Sequence, residues 1–468
     1  MAPAGKRDRR TALLLAVLAF IVYNTNFRVI FSGDCFPARF LPFAILKAGS
    51  LTLDPVLEAV RQGHPSPYWV EKSITGTHVS LFPIVVPVLV TPLYVPAAVV
   101  LRMLEWREPY LSMVAEVMEK VSSSVIASIS VAFVFLLVRR RLDRGRAVLL
   151  TAAYAFATNT WVTGSQALWQ HGMGELLIVG ALLCVTGELT PKRAFLVGIV
   201  CALGVMNRPP DLLLFAPVLL ETFLRTRADR ALLPRVGAAL GLGLVVAAAP
   251  FLAYNLATYG LLGGGYQSLF QHRPGTHSQF VKAPILPALA GLLFSPGKGL
   301  FFYSPFLLFL GGWWKRCRDE SGDRRLSLLL GAGVVAQILL YSRTDWRGGY
   351  SYGPRYLVDL LPVLVFLLVP VVRALGRKGL VAFALCVSMG AGIQAVGAFC
   401  YPQGMSDLYV FRAGNESATM EVWSLRLSPV VVEARAGLAP MKFAGYARGA
   451  LKRIFRGGSP PRPSGSPE

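Results

Sequence analysis

Between its charged residues this chain runs repeatedly for about twenty apolar positions, and most of those runs stop at clusters of arginine and lysine. A bilayer core about 30 Å thick takes about 20 mostly apolar helical residues to cross. Lys6, Arg7, Arg9 and Arg10 precede a first charge-free run over 11–27. Further runs over about 119–138, 168–187 and 210–224 end before Arg139-Arg140-Arg141, Lys192-Arg193 and Arg225 with Arg227, and two more end at Lys315-Arg316 and at Arg373, Arg377 and Lys378. Basic clusters stay on the cytoplasmic side, so each marks an inner turn. The returning runs are about 147–165, 194–207, 235–257, 326–342 and 379–401. The expectation is an all-α, polytopic membrane protein of about 11 transmembrane helices, with the first helix uncleaved and the C-terminus outside.

Composition excludes the soluble readings. Of 468 residues, 54% are hydrophobic and only 15% charged, against roughly a quarter charged in an ordinary soluble domain. The balance of 47 Lys+Arg over 25 Asp+Glu gives +22; in a soluble chain this would suggest nucleic acid, but here the bases sit in the turns between apolar runs, and no nucleic-acid partner is expected. Cysteines at 35, 184, 201, 317, 386 and 400 form no CxxC pair, so neither a zinc site nor a disulfide framework is encoded. The stretch 73–101 passes without a charge but contains Pro83, Pro87, Pro92 and Pro96. Interior prolines break helical hydrogen bonds, which predicts a broken, re-entrant or interfacial pair of short helices on the outer face. The resulting organisation is a basic cytoplasmic N-terminus (1–10), a transmembrane domain (11–401) whose first external loop (32–112) holds juxtamembrane helices, and a tail (402–468) with a disordered Pro/Gly/Ser-rich end.

Ionisable residues at a membrane boundary are functional candidates. Asp34 follows the first span in Phe31-Ser32-Gly33-Asp34-Cys35, and Asp54 stands in the same loop before Pro55. Either carboxylate can act as a general base or orient a hydroxyl, or simply cap the helix that follows. Arg208, in Asn207-Arg208-Pro209-Pro210-Asp211, and Arg355, in Gly353-Pro354-Arg355-Tyr356, open two spans at the outer boundary. A guanidinium there can hold a phosphate bidentately, although Arg208 with Asp211 and Arg355 with Asp359 also have the spacing of intrahelical pairs. His171 and Glu175 share a helix face four residues apart, as metal or proton partners or as a plain hydrogen-bonded pair. Aromatics crowd the external segments, Tyr68, Trp69, Trp169, Tyr266 and Tyr356 among them; they suit an interfacial belt or sugar stacking. No phosphate-loop or dinucleotide fingerprint is present.

The segments SGDCFPARFLPFAILKAGSLTLD, SLFPIVVPVLVTPLY, ALWQHGMGELL, NRPPDLLLFAP and GGYSYGPRYLVDLLP resemble the GT-C superfamily of membrane glycosyltransferases, which includes bacterial protein O-mannosyltransferases and the lipid A aminoarabinose transferase. The resemblance implies a GT-C-like fold and transfer of a sugar from a polyprenyl-phosphate carrier to a lipid, glycan or protein acceptor on the outer face of the cytoplasmic membrane. By position it implies Asp34 as the catalytic carboxylate, Arg208 and Arg355 as the residues at the carrier phosphate, and Asp54, His171, Glu175 and Tyr356 as acceptor-side or supporting groups. Cys35 stands where such enzymes often carry a second acid, and His171 where many carry an Asp. No metal site and no cofactor beyond the lipid-linked donor is indicated, although a divalent metal is compatible. A flippase or transporter of lipid-linked saccharides, or a ligase or polymerase of them, is the alternative; transporters place their sites at mid-membrane in repeated halves, and no repeat is visible here.

Overall fold

The computed structural model describes residues 5–227, 232–272, 284–318, 323–401 and 422–446. Its helices are α1 (Lys6–Asn24), α2 (Phe36–Ala48), α3 (Leu57–Arg61), α4 (Val85–Met103), α5 (Tyr110–Arg139), α6 (Arg144–Phe156), α7 (Gln170–Val185), α8 (Pro191–Asn207), α9 (Leu212–Arg227) and α10 (Leu233–Tyr259). They continue as α11 (Gly264–His272), α12 (Ile285–Phe294), α13 (Leu300–Tyr303), α14 (Trp313–Cys317), α15 (Arg324–Ser342), α16 (Leu361–Ala374), α17 (Arg377–Phe399) and α18 (Pro429–Ala436). Among the described residues the fold is helical apart from one short hairpin in the first loop, β1 (Val70–Lys72) against β2 (His78–Ser80), with Val70 opposite Ser80. Strands of three residues are too short to show an alternating pattern, which is why an all-α reading misses them.

Six helical segments among the described residues are long and apolar enough to cross a membrane: Val85–Met103, Tyr110–Arg139, Leu233–Gln271, Arg324–Ser342, Arg355–Ala374 and Arg377–Phe399. This is fewer than about 11 because several apolar runs are shorter or interrupted. The run over 147–165 leaves α6 after Phe156 and makes a π-helical turn over Thr160–Gly164. The run ending at Lys315 is split into α13, a 3-10 stretch over Pro305–Gly312, and α14.

The Pro-rich stretch differs from expectation. In place of two short broken helices it forms one helix, α4, with Pro92 and Pro96 inside. Pro87 falls in the first turn, where its missing N–H costs nothing. Packing against α2 holds the rest, with Tyr94 edge-on to Phe43 at 4.9 Å and Trp106, just beyond α4, edge-on to Phe43 at 5.9 Å.

Two sets of ties orient the bundle. At one end Asp8 of α1 pairs with Arg139 (3.2 Å) and Arg144 (2.7 Å), Arg141 pairs with Asp323, Arg140 donates to Leu183 O, Arg225 to Gly187 O, and Arg373 to Arg141 O. The basic clusters that are far apart in sequence therefore converge. At the other end Asn26 and Lys120 both donate to Gln166 Oε1, so α5 runs antiparallel to α1. With 30 residues α5 is about 45 Å long, longer than the bilayer core, and its first turns stand beyond α1 beside α2. There Arg39 is buried against Glu119 (2.6 Å) and Glu116 (3.7 Å). The turn between α4 and α5 thus belongs to the end remote from the basic clusters. The described part of the tail packs at that end too: Lys442 and Tyr446 hold Glu116, and Phe443 N donates to Phe27 O. The Pro/Gly/Ser-rich end, 457–468, lies outside the described residues.

Candidate functional site

The end opposite the basic clusters contains a cavity of about 170 Å³ lined by Asp34, Phe82, Trp169, Gln170, His171, Arg208, Tyr266, Arg355 and Tyr356. Six separate segments build it: the turn before α2, the residues leading into α4, the start of α7, the α8–α9 junction, α11, and the 3-10 turn leading into α16.

Asp34 does not cap α2. It sits in a 3-10 turn, Gly33–Cys35, whose N-cap is Ser32, while α2 has no side-chain cap. Its carboxylate turns to two distant partners: Tyr68 donates its phenol to Oδ1 (2.7 Å) and Arg355 Nη1 donates to Oδ2 (2.8 Å). Gly33 makes this possible, because a Cβ there would meet Tyr68 Oη at 2.6 Å and the Trp69 ring at 2.7 Å. Burial, with the Asp34 carboxylate alongside, holds the Tyr68 phenol well above its usual range, so it remains a donor.

Arg355 does not pair with Asp359. Residues 355–360 form a 3-10 helix, which has three residues per turn, so positions four apart point about a third of a turn away from each other. Arg355 projects into the cavity, its guanidinium 4.7 Å over the Trp169 ring and 5.5 Å from the Tyr356 ring, and its Nε finds no hydrogen-bond partner among the described residues. Asp359 instead turns into the bundle, ion-paired with Arg208, whose Nε lies 2.8 Å away, and hydrogen-bonded to His171 Nδ1 at 2.8 Å. Asp211, 3.7 Å from Arg208 Nε, accepts from Gln337 at 2.9 Å. Gly174 of α7 leaves room for these acids, since a Cβ would meet Asp359 Oδ1 at 2.6 Å and Asp211 Oδ2 at 3.2 Å. Arg208 also donates to Tyr341, whose ring stacks on Tyr356 at 4.9 Å and 16°.

His171 and Glu175 do not bond to each other: His171 faces Asp359, and Glu175 accepts from Thr160. Among the described residues no group of three His, Cys, Asp or Glu side chains is arranged to hold a metal ion. Asp54 lies away from the cavity, bound to His78 through Nδ1 at 2.7 Å. Burial raises its carboxyl, but the His78 side-chain and backbone hydrogen bonds outweigh this and leave it below the usual range. The structure therefore gathers Asp34, Arg208, Arg355, His171 and Tyr356 around one cavity and leaves Asp54 and Glu175 outside its lining. Tyr68, Gln170 and Asp359 gain parts in the site that spacing did not assign; the aromatic crowding of the first loop was the signal available for Tyr68.

A second cavity of about 360 Å³ adjoins the first and shares Arg208, Tyr266 and Tyr356 with it; Pro209, Pro210, Leu269, Phe270 and Leu340 give it an apolar wall. A polar chamber holding an acid and two arginines thus lies beside an apolar groove.

No protein-family model matches the chain, and no curated protein matches it. Among solved structures, the chain is similar to ArnT from Cupriavidus metallidurans in the apo state, at 13% identity over 95% of this chain and 76% of that one, with a TM-score of 0.46.

Proposed function

We propose that this chain is a membrane glycosyltransferase that moves a sugar from a polyprenyl-phosphate carrier to a hydroxyl acceptor, with its site at the outer face, opposite the basic clusters. The observation that carries this reading is the Asp34–Arg355 pair in a polar chamber that shares Arg208, Tyr266 and Tyr356 with an adjoining apolar groove. A lipid phosphate has the matching chemistry: an anion for Arg355 and a hydrocarbon chain for the groove. The aromatic walls, Trp169, Tyr266 and Tyr356, suit a sugar ring between them.

Both oxygens of Asp34 are occupied in this structure, one by Tyr68 and one by Arg355. A carrier phosphate competes for Arg355 and releases Oδ2, while Tyr68 keeps the carboxylate in place. The freed oxygen takes the proton of the acceptor hydroxyl as that oxygen bonds to the anomeric carbon and the bond from carbon to phosphate oxygen breaks. The departing polyprenyl phosphate keeps its electron pair, stabilised by Arg355 and by the positive charge of Arg208. A phosphate leaves without a strong general acid, so one carboxylate suffices. Arg208, ion-paired with Asp359 and hydrogen-bonded to Tyr341, acts from the floor of the chamber.

Washed membranes containing the chain, given a radiolabelled polyprenyl-phosphate sugar, test the reading. Transfer of one sugar to an acceptor, lost in Asp34→Asn, supports it. Movement of label across the bilayer without bond formation supports the flippase instead.

A further inference from the structure

At the basic end of the bundle a cleft of about 350 Å³ lies between the 3-10 stretch Pro305–Gly312 with α14 on one side and the end of α16 on the other. Leu308, Phe309, Val371, Ala374 and Leu375 form its walls, and Arg316 stands at its rim. Gly311 and Gly312 open it: a Cβ at Gly311 would meet nothing within 4 Å, and one at Gly312 only Val371 at 3.7 Å. We propose that this cleft is a binding site for one anionic glycerophospholipid, an acyl chain lying against the walls and the headgroup phosphate on Arg316.

Three observations carry it. The cleft is apolar and opens where Leu308 is 56% exposed, a face that a membrane-spanning bundle turns to lipid. Trp314 is also exposed, with Arg318 5.4 Å over its ring, and tryptophan marks the headgroup level. Arg316 lines the cleft, and the segments that border it carry Lys315, Arg318 and Arg373 within a few residues, which favours an anionic over a zwitterionic headgroup. The site is remote from the Asp34 chamber and stands independently of the reaction assigned there.

Native mass spectrometry of the full chain, titrated with phosphatidylglycerol or phosphatidylcholine, provides the test. The expected result is about five-fold tighter retention of phosphatidylglycerol, the effect of one favourable basic contact. Arg316→Gln, on an exposed side chain, erases that preference and Arg316→Lys keeps most of it. Gly311→Leu, which meets no protein atom at its Cβ, fills the cleft and weakens both lipids. Equal retention of the two lipids by the wild type overturns the proposal, as does a phosphatidylglycerol preference that survives unchanged in Arg316→Gln and Gly311→Leu.

Discussion

The two ends of the bundle use charge in opposite ways. At the basic end, arginines far outnumber acids; Arg139, Arg144 and Arg141 find distant acids in Asp8 and Asp323, but others spend their donors on backbone carbonyls or sequence neighbours: Arg140 on Leu183 O, Arg225 on Gly187 O, Arg146 on Asp143 three residues away. At the other end acids and bases meet across the whole chain, Asp34 with Arg355, Arg208 with Asp359, Arg39 with Glu119. Excess charge near water orients the chain in a membrane and needs no partner of fixed geometry. Buried charge must be matched, and matching it costs several helices their freedom to move independently. One end is an address, and the other is a built site.

The comparison breaks most completely if the ends face the wrong compartments. In a cysteine-free background, Tyr350→Cys, at a position 60% exposed beside the site, is expected to react with an impermeant thiol reagent only from the outside, and Arg377→Cys only from the inside. The reverse pattern removes the outward site.

Next in size is the chemistry. Asn keeps a hydrogen-bond acceptor for Tyr68 but takes no proton at neutral pH, so Asp34→Asn is expected to lower transfer by roughly 10²–10⁴-fold with carrier binding retained. Transfer near the wild-type rate sinks Asp34 as the base.

Stability separates the ends further. Asp359→Ala removes the bonded partner of His171 and the nearest acid to Arg208, which keeps only Tyr341 and the more distant Asp211, and breaking a buried ion pair this way costs about 3–5 kcal/mol. Arg146→Ala, whose partner Asp143 is half exposed, is expected to cost about 0–1 kcal/mol. Melting curves in detergent measure both, and comparable losses would erase the distinction between the ends.

A smaller effect falls on the phosphate contact. Arg355→Lys keeps the charge but loses the planar fork and its stacking on Trp169, so carrier-phosphate affinity is expected to fall about tenfold, while the melting temperature moves little. Unchanged affinity would make Arg355 only a partner for Asp34.

Asp54 sharpens the contrast at its low end. Its folded carboxyl is depressed by His78, so its contribution is present above the unfolded value, about pH 4, and is lost as pH falls through the lower folded value. Its partial exposure screens the pair. Asp54→Asn should therefore leave transfer intact and melt slightly earlier at neutral pH, the difference vanishing in acid. A large loss of transfer would bring Asp54 into the site.

How much of this was legible follows from the range of each interaction. Asp34, Arg208, Arg355 and His171 were visible as candidates because ionisable groups are conspicuous beside apolar runs. Their partners were not: helical spacing joined Arg355 to Asp359, but the local 3-10 winding turns them apart. The prolines of 83–96 pointed to a broken segment, yet Phe43 and Trp106, contributed by packing, hold α4 continuous.

Hydrophobicity and charge act additively along a chain, so the sequence by itself determined that this protein belongs in lipid, that its basic clusters gather at one end, and which residues stand near the other boundary. Pairing depends on which helix packs beside which and on the rotation of each about its axis. Only the tertiary structure therefore decided that Tyr68 and Arg355 share Asp34, that Asp359 serves Arg208 and His171, and that their chamber adjoins an apolar groove.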